Sequence, residues 1–185
     1  MARRIFIAIE ISEDIRKVIF KQSKKAFSSH DHMRIIPPDN IHITLKFLGD
    51  TRDEDIGKII HAVSAAASGH KSFEYSFEEK IGAFPNTEKA KVAFIEINRG
   101  RNNISNLYGS LEDKLSDLGI KKEKRRFHPH ITIARIKKPT NIGSIELDPG
   151  ILPAYDSEVA SVTIFESILG RGGARYIIID RFVLK

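Results

Sequence analysis

Arg3 to Ile9 (RRIFIAI) is an apolar, β-branched run and predicts a first strand. Ser12 stands where an N-cap is expected, and Ile15, Val18, Ile19 and Ala26 then recur at helical spacing, predicting an amphipathic helix over 13–27. Pro37-Pro38-Asp39-Asn40 reads as a turn, and Ile41 to Leu48 (IHITLKFL) alternates in the manner of a strand closed by Gly49-Asp50. Thr51 with Glu54 fits a capping box for a second helix, whose apolar face is Ile56, Ile59, Ile60 and Val63 and whose end is Ser68-Gly69. Strands are expected near Phe73 to Ile81 and Lys91 to Ile97, with Pro85-Asn86 in the loop between them. Ile104, Leu107, Leu111, Leu115 and Leu118 mark a third helix stopped by Gly119. A strand over Pro129 to Ile136 follows, then two long strands, Glu158 to Leu169 and Ala174 to Leu184, joined by a hairpin loop at Gly170-Arg171-Gly172-Gly173.

Several of these strands are joined too closely for helical crossovers, so the expected class is α+β with antiparallel sheets. The 185 residues form one expected domain, 1–185, with no linker or low-complexity block dividing them. The hydrophobic share of 41% and charged share of 29% are those of an ordinary globular protein. No apolar run is long enough for a membrane helix, and the short apolar opening reads as a strand rather than a signal peptide. A cytoplasmic protein without a membrane partner is expected. Cysteine is absent, which removes disulfide frameworks, thiolate metal sites and cysteine nucleophiles. Thirty Lys and Arg against 24 Asp and Glu leave +6, a mild excess that suits a polyanionic partner.

The chemistry is written twice. His42-Ile43-Thr44-Leu45 and His130-Ile131-Thr132-Ile133 are near-identical tetrapeptides, one in each half of the chain and each on a predicted strand. Residues two apart on a strand share a face. Each copy therefore buries an aliphatic pair and presents an imidazole with a hydroxyl. If the halves meet through a pseudo-two-fold, two His and two Thr face one groove. A phosphodiester displacement needs that set: one imidazole to take a proton from the attacking oxygen, another to protonate the leaving oxygen. The hydroxyls can bond the phosphoryl oxygens on which charge develops. No metal is needed.

The paired His-x-Thr-x motifs, the Phe127-His128-Pro129-His130 lead-in, the opening Arg4-Ile5-Phe6-Ile7-Ala8, the His42 to Gly49 segment and the strands around Ser167 to Tyr176 resemble the two-histidine (2H) phosphoesterase superfamily. Within it they are similar to the bacterial and archaeal RNA 2',3'-cyclic phosphodiesterases, long called 2'-5' RNA ligases. The resemblance implies a bilobal α+β fold with two antiparallel sheets facing a central cleft, a pseudo-two-fold, and helices on the outer faces. It implies opening of a 2',3'-cyclic phosphate at an RNA 3' end to a 2'-phosphate, with reversible 2'-5' ligation and no cofactor. By the same resemblance His42 donates a proton to the leaving 3' oxygen, His130 activates water, and Thr44, Thr132 and Arg135 bind phosphate. Strict alternation from His130 places Arg135 on the opposite face, so a bulge, a strand end or a long reach has to return it. RNA ends carrying cyclic phosphate, tRNA fragments among them, are the implied partner, and a monomer is expected.

Other residues read as background. His128-x-His130 offers two metal ligands but no third, and no metal is expected. His30 and His32 are read as solvated. Phe47 reads as core packing or as a base platform and is not counted in the site. The run Lys121 to Arg126 and the loop Arg171 to Arg175 are solvated by default, with RNA contact as the alternative. Two further functions stay open: a non-catalytic RNA-binding module, and a phosphoesterase for a small cyclic nucleotide phosphate. Intact His and Thr in both copies weigh against the first, and the basic balance leans against the second.

Overall fold

The computed structural model describes residues 2–152, 157–170 and 173–185. Strands are β1 (Ala2–Glu10), β2 (Met33–Ile35), β3 (His42–Arg52), β4 (Phe73–Tyr75), β5 (Phe77–Phe84), β6 (Ala90–Ile97), β7 (His130–Thr140), β8 (Ser157–Val159), β9 (Ser161–Gly170) and β10 (Gly173–Val183). Helices are α1 (Glu13–Ala26), α2 (Asp53–Ser68) and α3 (Arg101–Ser116). The expected α+β class with antiparallel sheets is what forms. One sheet runs in the order β10-β9-β1-β3-β7-β6-β5, with β2 added on β7, and β4 pairs β8 separately.

The large sheet has two halves, β10-β9-β1-β3 and β7-β6-β5. They meet through one residue pair, Ile43 opposite Ile131, the second residue of each His-x-Thr-x motif. The repeated tetrapeptides are thus the seam of the molecule. Both central strands place Ile43, Leu45, Ile131 and Ile133 in the buried core, all at 3% exposure or less.

The helices form where the spacing predicts. Ile104, Leu107, Leu111 and Leu115 of α3 are all fully buried, and truncating any one of them to Ala is expected to cost about 2–5 kcal/mol. The chain enters α3 through Gly100 at φ 78°, where a side chain would collide with the Glu74 carbonyl. Leu118, expected on this face, is 41% exposed because α3 has already ended at Ser116. α2 begins at Asp53, not at Thr51. Thr51 is still in β3 and its hydroxyl donates to the Gly49 carbonyl, so no capping box forms. Asp53, Glu54 and Asp55 instead set negative charge against the positive end of the helix. Of the two C-terminal strands expected, the one at 174 forms as β10, while the one at 158 is split at Ala160 into β8, which pairs β4, and β9; Gly170 pairs Gly173 across the β9–β10 hairpin. Arg171 and Gly172 of that loop lie outside the described residues. Among the described residues no helix is long and apolar enough to cross a membrane.

Candidate active site

His42 and Thr44 from β3, and His130 and Thr132 from β7, line one cleft of about 840 Å³ on the sheet face away from the core. Arg4, Arg34 and Arg135 line it as well and give it a positive wall.

Arg135 reaches the cleft because β7 is bulged. Ala134 pairs Ala93 and Thr132 pairs Phe94, so Ile133 has no residue opposite it on β6. The extra residue inverts the alternation. Ile133, Ala134 and Ile136 are buried, and Arg135 returns to the face of His130. β3 carries the same device at the same place. Thr44 pairs Ala8 and Lys46 pairs Ile7, leaving Leu45 unopposed. Lys46 is turned to the buried side, and Phe47 joins the cleft with 66% of its surface exposed. Phe47 therefore occupies on β3 the position Arg135 occupies on β7. It lines the cleft, although the sequence reading does not count it in the site.

Lys46 can be buried because Glu112 of α3 meets it in an ion pair; both side chains are at most 7% exposed. The Lys121 carbonyl also accepts from Lys46, at 3.1 Å, and the second Glu112 oxygen accepts from the Glu123 backbone N–H at 2.7 Å. The start of the basic run is thereby tied to α3, and its side chains stay exposed.

His42 is enclosed by aromatic rings: Phe6 at 5.0 Å, Tyr176 at 5.4 Å and Phe165 at 6.4 Å between centroids. Its Nε2 and the Thr44 hydroxyl are 2.9 Å apart. The Asn40 backbone accepts a hydrogen bond from the ring, and Asn40 is itself fixed by its amide donating to the Ala174 carbonyl at 2.8 Å. Burial pushes the imidazole down to about 4; the Asn40 bond opposes this, while the charges of His130 and Arg135 add to it.

His130 stands against Phe94 at 5.0 Å and Phe84 at 5.2 Å. Phe94 lies across Gly82, where any side-chain carbon would overlap the ring. His130 Nδ1 donates to the His128 carbonyl at 2.6 Å, which leaves Nε2 of the neutral ring as a proton acceptor. Burial lowers the affinity of this ring for a proton. The His128 bond opposes that, the His128 ring adds to it, and Glu96 opposes it.

One residue read as solvated is placed differently. His32 is half-buried, with Nε2 at 2.7 Å from the Thr140 hydroxyl, rather than solvated. His128 sits with Nε2 at 3.8 Å from Glu96, and no cluster of three metal-ligating groups occurs among the described residues.

A family model for the 2'-5' RNA ligase superfamily matches residues 13–154, and the chain belongs to that superfamily. It is 34% identical over 134 residues to a protein of Methanocaldococcus jannaschii named RNA 2',3'-cyclic phosphodiesterase, covering 72% of each chain. A protein of the same name from Methanothermobacter thermautotrophicus is 29% identical over 171 residues, 92% of this chain and 90% of its own. Among solved structures, TT0787 of Thermus thermophilus matches with a TM-score of 0.83 at 24% identity, over 98% of this chain and 97% of its own. LigT of E. coli in apo form matches with a TM-score of 0.78 at 22% identity, over 100% and 98%. These two establish likeness of fold.

Proposed function

We propose that this chain, as one bilobal unit, is an RNA 2',3'-cyclic phosphodiesterase that opens the cyclic phosphate to a 2'-phosphate by paired-histidine acid–base catalysis. The observation that carries the reading is the pair of His–Thr sets brought from two strands to one cleft with Arg135 beside them. The shared name of the relatives supports the substrate class.

Water attacks phosphorus in line with the 3' oxygen, and His130 Nε2 takes the water proton as the new P–O bond forms. The bond to the 3' oxygen breaks, and His42 Nε2 delivers its proton there. Thr44, Thr132 and Arg135 bond the phosphoryl oxygens, Arg135 by a forked, charge-assisted contact. The free protein holds His42 neutral by burial. The anionic substrate supplies the charge that loads His42 with a proton, so substrate and proton enter together. Phe47, exposed beside the phosphate groups, gives a base a surface on which to stack.

Hydrolysis outruns 2'-5' ligation, because water at about 55 M competes with any RNA 5'-hydroxyl unless a second strand is held at high effective molarity. An RNA ending in 2',3'-cyclic phosphate, incubated alone and with excess 5'-hydroxyl RNA in chelator, tests the reading. A 2'-phosphate product that withstands chelation is expected. A 3'-phosphate reverses the orientation of the substrate, mostly joined product makes this a ligase first, and loss of activity in chelator overturns the metal-free scheme.

A further inference from the structure

The two motif histidines have glutamates at one and the same register position. Glu10 of β1 is directly opposite His42, and Glu96 of β6 is directly opposite His130. Directly opposed residues of an antiparallel pair point to the same face, with Cβ atoms about 4.5–5.5 Å apart. Each glutamate thus starts out equally placed to act on its histidine.

Their partners separate them. Glu10 is saturated: Arg181 Nε and Nη2 reach its two oxygens at 2.8 and 2.9 Å, and the Thr163 hydroxyl donates to Oε1 at 2.6 Å. Glu96 takes a single-pronged contact from Arg101, Nη2 to Oε2 at 2.5 Å, and that same oxygen lies 3.8 Å from His128 Nε2. His128 in turn holds His130 by its carbonyl. The negative charge of Glu96 favours the protonated His130 ring, whereas both oxygens of Glu10 are taken by the Arg181 guanidinium.

We propose that Glu96 is a positioning residue for the reaction: held by Arg101 and next to His128, its carboxylate stabilises the imidazolium that His130 becomes on taking the proton from water, a service Glu10 does not give His42. The groups facing His130 that bear on this are Glu96 from β6, Arg101 from α3 behind it, His128 from its own lead-in, Arg135 further along β7, and His42 across the cleft. Phe84 and Phe94 give the His130 ring an uncharged wall. A base oriented in turn by a third group follows the general logic of nucleophile, base and orienter.

This rests on the reading of His130 as an acid–base group, and the test separates the two. The titration of the imidazole C–H signals by NMR needs no turnover. In Glu96→Gln, which keeps the shape and an acceptor for Arg101, the His130 midpoint moves to lower pH and that of His42 stays. In Glu10→Gln the His42 midpoint stays. Arg101→Gln, which removes the opposing charge, moves the His130 midpoint the other way. A purely structural Glu96 predicts no such opposite movement. kcat/KM of Glu96→Gln falls about 3–10-fold at neutral pH with KM nearly unchanged, well short of the 10²–10⁴ of an acid–base deletion. A His130 midpoint unmoved in Glu96→Gln, or moved in the same direction by Arg101→Gln, overturns the proposal. Near-normal turnover of His130→Ala overturns instead the reading of His130, whatever the titration gives.

Discussion

On β3 the motif histidine is packed among Phe6, Phe165 and Tyr176; on β7 its counterpart is packed between Phe84 and Phe94 and has Glu96 across the strand. The backbones under the two are alike to the residue. Each His-x-Thr-x is followed by a bulge, and each bulge returns the fifth residue after the histidine to the cleft. The returned residues differ: an exposed aromatic, Phe47, in one half and a cation, Arg135, in the other. The residues before them differ too, Lys46 being buried by its pairing with Glu112 and Ala134 by its size. A duplicated backbone fixes which positions face the cleft, and the side chains at those positions then make the two halves differ. On the proposed function, the β3 half offers stacking and a reluctant proton carrier, and the β7 half offers phosphate-binding charge and a better supported base.

The largest test of this division is deletion of the imidazoles. His42→Ala and His130→Ala should each lose roughly 10²–10⁴ in rate. A near-normal variant of either would leave one half without its chemical role. Thr44→Ala and Thr132→Ala should cost less, about 10–10³, the lower part of that range allowing for the second hydroxyl to compensate. Their losses, measured in kcat, sharpen the comparison: equal losses mean that both halves grip the phosphate, and a loss confined to Thr132→Ala confines that grip to the half carrying Arg135.

Much of this was legible in the sequence, and what was not has an identifiable cause. The helices announce themselves because Ile104, Leu107, Leu111 and Leu115 repeat at 3.6-residue spacing. The three-residue strands β2, β4 and β8 are too short to show a period. Ser76 and Ala160 break runs that read as continuous strands, which a residue pattern cannot reveal. The bulges are the instructive case. In Ile133-Ala134-Arg135 two successive apolar residues break the alternation before the arginine, a visible sign that the strand changes phase. In Leu45-Lys46-Phe47 the alternation looks intact, because Lys46 imitates a solvent-facing residue. Only its ion pair with Glu112, far along the chain, explains how a lysine can point inward. The sequence reading leaves Phe47 without a site role for that reason. Comparing the two motifs position by position finds it, since Phe47 and Arg135 lie at the same offset from His42 and His130.

The exposed aromatic gives the next effect in size. Phe47→Ala should raise KM for a cyclic-ended RNA by about 5–100-fold if a base stacks on it, with kcat little changed, since base–aromatic stacking is worth about 1–3 kcal/mol. Phe47→Leu keeps apolar area without the ring face and should recover only part of the affinity. Full recovery by leucine would mean that the residue supplies apolar cover alone, and the contrast with Arg135 would narrow to charge.

The smallest effect concerns the unliganded protein. Burial holds the His42 imidazole at about 4 when folded, against an ordinary value near 6.5 in the unfolded chain. The unfolded chain then binds the extra proton, so this stabilisation is complete above pH 6.5 and is lost as pH falls from there toward 4. Between pH 7.5 and 6 the loss is about 1 kcal/mol, or roughly 2–4 °C in Tm for a chain of this size. His130, lowered by burial but supported by His128 and Glu96, contributes in the same direction. The lowered carboxylates Glu10 and Asp148 titrate further down, so this window reports mainly imidazoles. Thermal melts of the wild type, His42→Gln and His130→Gln from pH 7.5 to 5.5 separate the halves. The slope should flatten most in His42→Gln, and inorganic phosphate, which supplies an anion to both rings, should flatten it in the wild type. An equal flattening in both variants without phosphate would show that the two imidazoles are equally reluctant to charge, and the asymmetry between the halves would then rest on Phe47 and Arg135 alone.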